Sequence, residues 1–169
     1  MMDAARMRRG TRQHALAALL LAALLACATG ASATGLPYAA SADAKADIRH
    51  ALASAARTHK NVLLVFGANW CEDCRALDAA LRSPRNAALM AREFEVVKID
   101  VGHFDRNLDI ATAYGGAVAE GIPSAVVVSP DARILYATRA GELADARTMS
   151  RTGVHDFFAR AVATAKTAR

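Results

Sequence analysis

Two cysteines three positions apart, set between an apolar run and a helix-like stretch, constrain this chain more than any other feature. Val62-Leu63-Leu64-Val65-Phe66 is short and continuously apolar, the pattern of a strand covered on both faces and therefore central in a sheet. Gly67-Ala68-Asn69 leads from it into Trp70-Cys71-Glu72-Asp73-Cys74, and a helix-like stretch from Arg75 to Arg82 carries the chain away. Thiols at this spacing close a disulfide with each other and open it again. With Cys71 at the helix start, unpaired backbone N–H groups and the helix dipole lie beside its sulfur and favour the thiolate, the nucleophilic form. Cys74, one turn further in, is then placed to attack a mixed disulfide formed at Cys71.

Other uses of the pair are weaker. A disulfide closing a two-residue loop constrains little of the unfolded state, so a purely stabilising role gains little. A structural zinc site takes four ligands. The chain has no second cysteine pair, and His50, His59, His103 and His155 show no ligand spacing and read as surface residues. No metal and no cofactor is expected.

The chain opens with a targeting segment. Arg6, Arg8, Arg9 and Arg12 form a basic leader, and the apolar run from Ala15 to Ala26 is short for a bilayer span, as in an export signal. Two exits compete. Leu24-Leu25-Ala26-Cys27 resembles a bacterial lipobox that would make Cys27 a lipidated first residue, whereas Ala31-Ser32-Ala33 resembles an ordinary signal-peptidase site cut after Ala33. Either exit leaves Cys71 and Cys74 as the only free thiols. The four leader arginines also account for most of the formal charge of +5. Without a basic stripe interleaved with aromatics, nucleic acid is not an expected partner. The chain beyond the leader, about 140 residues, is one domain's worth.

Along that remainder, Thr34 to Ala42 reads as a tether or extended lead-in, and Asp43 caps a helix ending near Thr58. After the strand and the cysteine helix, Ser83-Pro84 breaks the helix and Asn86 to Arg92 forms a short second one. Phe94 to Asp100 is another strand. A polar loop, Gly102 to Asn107, leads to a short helix through Ile110 to Tyr114 that Gly115-Gly116 ends. Ser124 to Ser129 and Arg133 to Ala137 then make a hairpin, with Pro123 allowed at a strand start. A long loop from Arg139 to Gly153 precedes a last helix carrying Val154, Phe157, Phe158, Ala161 and Val162. This order predicts an α/β sandwich with a central mixed β-sheet flanked by helices.

The strand ending in Phe66, Trp70-Cys71-Glu72-Asp73-Cys74 and the later Gly121-Ile122-Pro123 together resemble the thioredoxin superfamily, over roughly Lys60 to the C-terminus. The wording around the cysteines is similar to bacterial periplasmic thioredoxin-like proteins and to the C-terminal domain of the reductase DsbD. The resemblance divides the chain into an export signal and short tether (1–33), an N-terminal extension with a helix (34–59) and a thioredoxin-like domain (60–169). It implies a cis Pro123 facing the cysteines, with the Ile122 backbone holding an extended substrate as an added strand and Trp70 in the docking surface. Three departures stand out. Val65 occupies the place, six residues before Cys71, where thioredoxins carry a buried acid that assists the resolving thiol, so that proton route is absent or replaced. Lys98 lies near the family's lysine below the site, but with Val65 opposite it reads as a strand-end surface residue. The stretches 103–120 and 139–153 exceed those of a minimal thioredoxin, as partner-selecting loops or as variable surface.

Glu72 and Asp73 bear on direction. Each opposes a thiolate at Cys71 by roughly 0.5 to 1 kcal/mol if solvated, which tilts the couple towards reduction, although acidic residues in a first turn also simply stabilise the helix. The expected activity is a thiol-disulfide oxidoreductase of the protein-disulfide reductase type, in the periplasm, soluble or lipid-anchored through Cys27. Its partners would be disulfide-containing proteins and a membrane electron donor that reduces the pair again. Disulfide oxidase or isomerase activity, client binding without turnover, and copper handling by the two thiolates remain open.

Overall fold

The computed structural model describes residues 35–168. The leader, both cleavage alternatives and Cys27 lie outside the described residues.

A four-stranded mixed sheet, in the order β2-β1-β3-β4, carries the fold. Strand β1 (Asn61–Gly67) is buried along its whole length and lies between β2 (Phe94–Asp100), parallel to it, and β3 (Ser124–Val128), antiparallel. Strand β4 (Ile134–Ala137) pairs antiparallel with β3 as the outer strand of a hairpin. Alternation along β1 divides its side chains between two cores. Leu63 and Val65 join Leu77, Leu81, Phe94 and Phe158 on one face, while Val62, Leu64 and Phe66 join Ile48, Ala55, Val97 and Ile99 on the other. Fully burying a Val, Leu, Ile or Phe side chain contributes about 1.5 to 3 kcal/mol, so a charge at any of the five from β1 would break the sheet's centre.

The helices follow from their caps. Asp43 accepts the Ala46 N–H and starts α1 (Ala44–Thr58), which lays Ala44, Ile48 and Ala55 on the second core. Cys71 caps α2 (Glu72–Leu81), which begins three residues before the stretch read as helical, because Glu72 and Asp73 complete its first turn. Pro84 opens α3 (Pro84–Glu93) at a position where a missing N–H costs nothing. Helix α4 (Leu108–Ala113) ends at Gly115 and Gly116, both in the left-handed region that glycine adopts freely.

One expectation needs correction and another is narrowed. The stretch 139–153 is not all loop: a 3₁₀ turn spans Ala146–Thr148, and α5 (Arg151–Thr167) already includes Gly153, whose N–H is bonded at 2.9 Å by the Ser150 hydroxyl that caps the helix. Of the two readings of the stretch before Asp43, its described part fits the extended lead-in and not a free tether. Tyr38 is buried, because the Asn69 side chain clasps its backbone, accepting the Tyr38 N–H at 3.0 Å and donating to the Tyr38 carbonyl at 2.6 Å.

Candidate functional site

The end of β1 and the start of α2 place the cysteine pair. Cys71 and Cys74 are joined as a disulfide, their Cα atoms 5.2 Å apart. Cys71 Sγ accepts the Cys74 N–H at 3.1 Å and so occupies the cap position of α2. A thiolate formed there meets that N–H and the positive end of the helix. Cys71 is 7% exposed and borders the surface, whereas Cys74 is fully covered.

On the outer side, Trp70, Cys71, Glu72, Asp73, Phe104, Ile122 and Arg147 line an open cavity of about 460 Å³. The Ile122–Pro123 peptide is cis, and the Ile122 carbonyl oxygen lies 3.7 Å from Cys71 Sγ. An extended chain entering here would meet that carbonyl as an unpaired strand edge does. Trp70 is 46% exposed, and its indole N–H donates to the Gly102 carbonyl at 2.7 Å. His103, exposed as expected, stacks on the Trp70 ring at 5.3 Å, and Phe104 meets it edge-on at 6.3 Å. Phe104 and Asn107 both sit at positive φ; the Asp105 carboxylate accepting the His103 N–H and the Asn107 amide donating to the Asp100 carbonyl brace this wall. A second cleft, about 430 Å³ between α1 and α4, shares no lining residue with the cysteines and carries no thiol.

On the inner side lie residues that sequence reasoning missed. Tyr38 packs with Cys71 and Cys74 beneath the pair. Its ring fills the space a side chain at position 67 would need, so Gly67 is required as the residue without a Cβ. Burial, with Asp78 and Asp100 adding, pushes the Tyr38 phenol well above its ordinary value, so it stays protonated. Asp78, one turn after Cys74 on the same helix face, is buried, pairs with Lys98 and lies 2.9 Å from Arg82 Nη2. Lys98 is thus not a plain surface residue: β2 aims it across the sheet from Val65 at a carboxylate supplied by the helix rather than by the strand. A helical wheel anchored on Cys74, Leu77 and Leu81 would have put Asp78 on the buried face. Tyr38 left a fainter trace, as the one aromatic in a run of small residues.

Glu72 and Asp73 are not simply solvated. Asp73 accepts the Arg147 backbone N–H at 2.9 Å and its guanidinium at 3.2 Å, and the same guanidinium lies 3.6 Å from Glu72. The stretch 139–153 therefore reaches the cysteine helix. Nothing local to Arg147 announces this, since the contact spans 74 residues.

Residues 43–130 match a family model described as Thioredoxin-like. A crystal structure of a disulphide isomerase from Xylella fastidiosa Temecula1 is 58% identical, covering 76% of this chain and 98% of that chain, with a TM-score of 0.74. The oxidised C-terminal domain of Neisseria meningitidis DsbD is 23% identical over 70% of this chain and 96% of that chain, with a TM-score of 0.48. No curated protein matches.

Proposed function

The chain belongs to the thioredoxin-like family, and from that premise we propose that it is a thiol-disulfide oxidoreductase that reduces protein disulfides through Cys71 and Cys74. The observation that carries this reading is the asymmetry of the pair: Cys71 caps a helix at the edge of an open cavity, and Cys74 is covered.

In the reduced protein, the Cys71 thiolate attacks one sulfur of a substrate disulfide, held along Ile122 and Pro123 with Trp70 beside it. The substrate S–S bond breaks, a mixed disulfide forms, and the first substrate thiolate leaves and takes a proton from water. Cys74 then passes its proton to the Asp78 carboxylate, one turn away on the inner side, and attacks Cys71 Sγ, breaking the mixed disulfide. The second substrate thiol is released, and the enzyme is left with the disulfide found in this structure. Two electrons from a dithiol donor restore the pair. In an oxidising periplasm, the compartment that the leader supports, a membrane protein would supply them. Lipid anchoring through Cys27 belongs to the same reading. No helix among the described residues is long and apolar enough to cross a membrane.

A second reading has its own support. The 58% identical relative is described as a disulphide isomerase, and isomerisation uses the same first attack, with a substrate thiol rather than Cys74 resolving the mixed disulfide. Insulin reduction with a dithiol donor, run beside reactivation of a scrambled disulfide protein, separates the two. Reduction that Cys71→Ser lowers on the order of a thousandfold or more supports the reductase. Reactivation that survives Cys74→Ser, with no insulin turnover in the parent protein, replaces it with the isomerase.

A further inference from the structure

We propose that Arg147 is a positioning residue for the Cys71 nucleophile, its guanidinium offsetting the two carboxylates that follow Cys71 and so keeping the thiolate populated near neutral pH. This rests on the reading of Cys71 and Cys74 as an exchange pair.

The sequence places Glu72 and Asp73 immediately after a sulfur that must become negative to react. Left alone, two carboxylates there would work against the helix N-terminus that favours the thiolate. The structure brings one cation to both. Arg147 Nη1 is 3.2 Å from Asp73 Oδ2 and 3.6 Å from Glu72 Oε2, and Arg147 lines the same cavity as Cys71.

This is more than a mobile surface pair. The Asp73 side chain is only 13% exposed, and its other oxygen is tied to the Arg147 backbone N–H at 2.9 Å. The turn carrying Arg147 is held by its own buried residues, Leu143 and Ala146, which belong to the core around Leu77 and Phe158. Replacing the Arg147 side chain leaves that backbone bond and that packing in place. The substitution therefore removes charge from the rim of the site without releasing the turn.

The remaining polar groups around the pair are otherwise engaged. Arg75 donates to the Asn69 carbonyl at 2.7 Å, and Arg106 pairs with Asp100 at 3.0 Å. His103 is stacked on Trp70, and Asp78, Lys98 and Tyr38 lie on the inner side. Among the described residues lining the cavity, Arg147 is the cation.

The test is a titration of the Cys71 thiolate by its ultraviolet absorbance in the reduced protein, with Cys74→Ser as the background so that one site thiol titrates. Arg147→Gln is expected to raise the Cys71 pKa and lower the thiolate fraction at pH 7 about three- to fivefold, the shift shrinking in molar salt. Arg147→Lys is expected to restore most of it, and thermal stability should barely move, since the guanidinium is largely exposed. Should Arg147→Gln not fold, Arg147→Met keeps the aliphatic stem and carries the same expectation. An unchanged or lowered pKa in a folded variant overturns the inference. The titration uses no substrate, so it is independent of direction: a shift without insulin turnover by the parent protein upholds the role of Arg147 while defeating the reductase reading. Turnover without a shift does the reverse.

Discussion

Cys71 and Cys74 are three residues apart and both pack on Tyr38, but Cys71 alone also borders an open cavity. Outside, Cys71 meets an open cavity walled by exposed rings, a backbone carbonyl and a compensated acidic pair. Inside, Cys74 packs on a phenol kept neutral by burial, and a carboxylate locked to a lysine follows one helical turn later. The outer half is open to solvent, and the inner half is covered; on the proposed reading the first admits a substrate and the second holds the proton of Cys74. The surroundings of the two cysteines differ in the sense that the proposed division into attack at Cys71 and resolution at Cys74 requires, which adds to what their spacing suggests.

The inner half offers the strongest way to break this contrast. Tyr38→Ala should cost about 3 to 5 kcal/mol, because it empties a space that Gly67, Asn69 and both cysteines border. Denaturant unfolding measures the loss, and stability within about 0.5 kcal/mol of the parent would show that Tyr38 is not part of the core. Asp78→Asn acts on chemistry instead. Decay of a trapped Cys71 mixed disulfide should slow about tenfold or more, with its formation unchanged. Equal decay in stopped flow would remove Asp78 from the resolving step.

How far these halves were legible beforehand follows the range of the contacts that make them. The sheet, its buried central strand and the helix after Cys71 are written in local periodicity and caps, so β2 appears at its expected ends, Phe94 and Asp100. The outer wall was half legible, since Trp70 and Ile122 come from the motif, while Phe104 and Arg147 do not. The inner floor was nearly hidden. Val65 signalled a missing acid, the buried carboxylate of Asp78 comes from another element, and a polar residue within a helix reads as solvent-facing until its face is assigned. Tyr38 depends on a glycine and an asparagine about thirty residues away, a fit that no local pattern records.

Two pH experiments sharpen the contrast at smaller scale. Tyr38 has its folded pKa raised above the ordinary 10.0, so its neutral form contributes stability that is fully present below pH 10 and lost above it. There the unfolded chain releases the proton and the folded chain keeps it, adding a slope of about 1.4 kcal/mol per pH unit. Tyr38→Phe should remove that share of the alkaline loss in urea unfolding; an unchanged slope would contradict the buried phenol. At the C-terminal end of α3, Glu93 is held below the ordinary carboxylate value of 4.5 by the Arg92 hydrogen bond first and, among the lowering causes, Lys166 second. Its contribution is present above pH 4.5 and fades as pH falls through the lowered folded value. Lys166→Gln should slightly flatten the acid dependence of the melting temperature while leaving the reactivity of Cys71 untouched, and a change in that reactivity would show that this end of α5 is not independent of the site.

The central claim is that Cys71 attacks and Cys74 resolves, and alkylation of the fully reduced protein tests it most directly. Brief treatment with iodoacetamide near neutral pH, followed by peptide mass mapping, should label Cys71 at least about a hundredfold faster than Cys74. Labelling at equal rates, or at Cys74 first, would contradict the account.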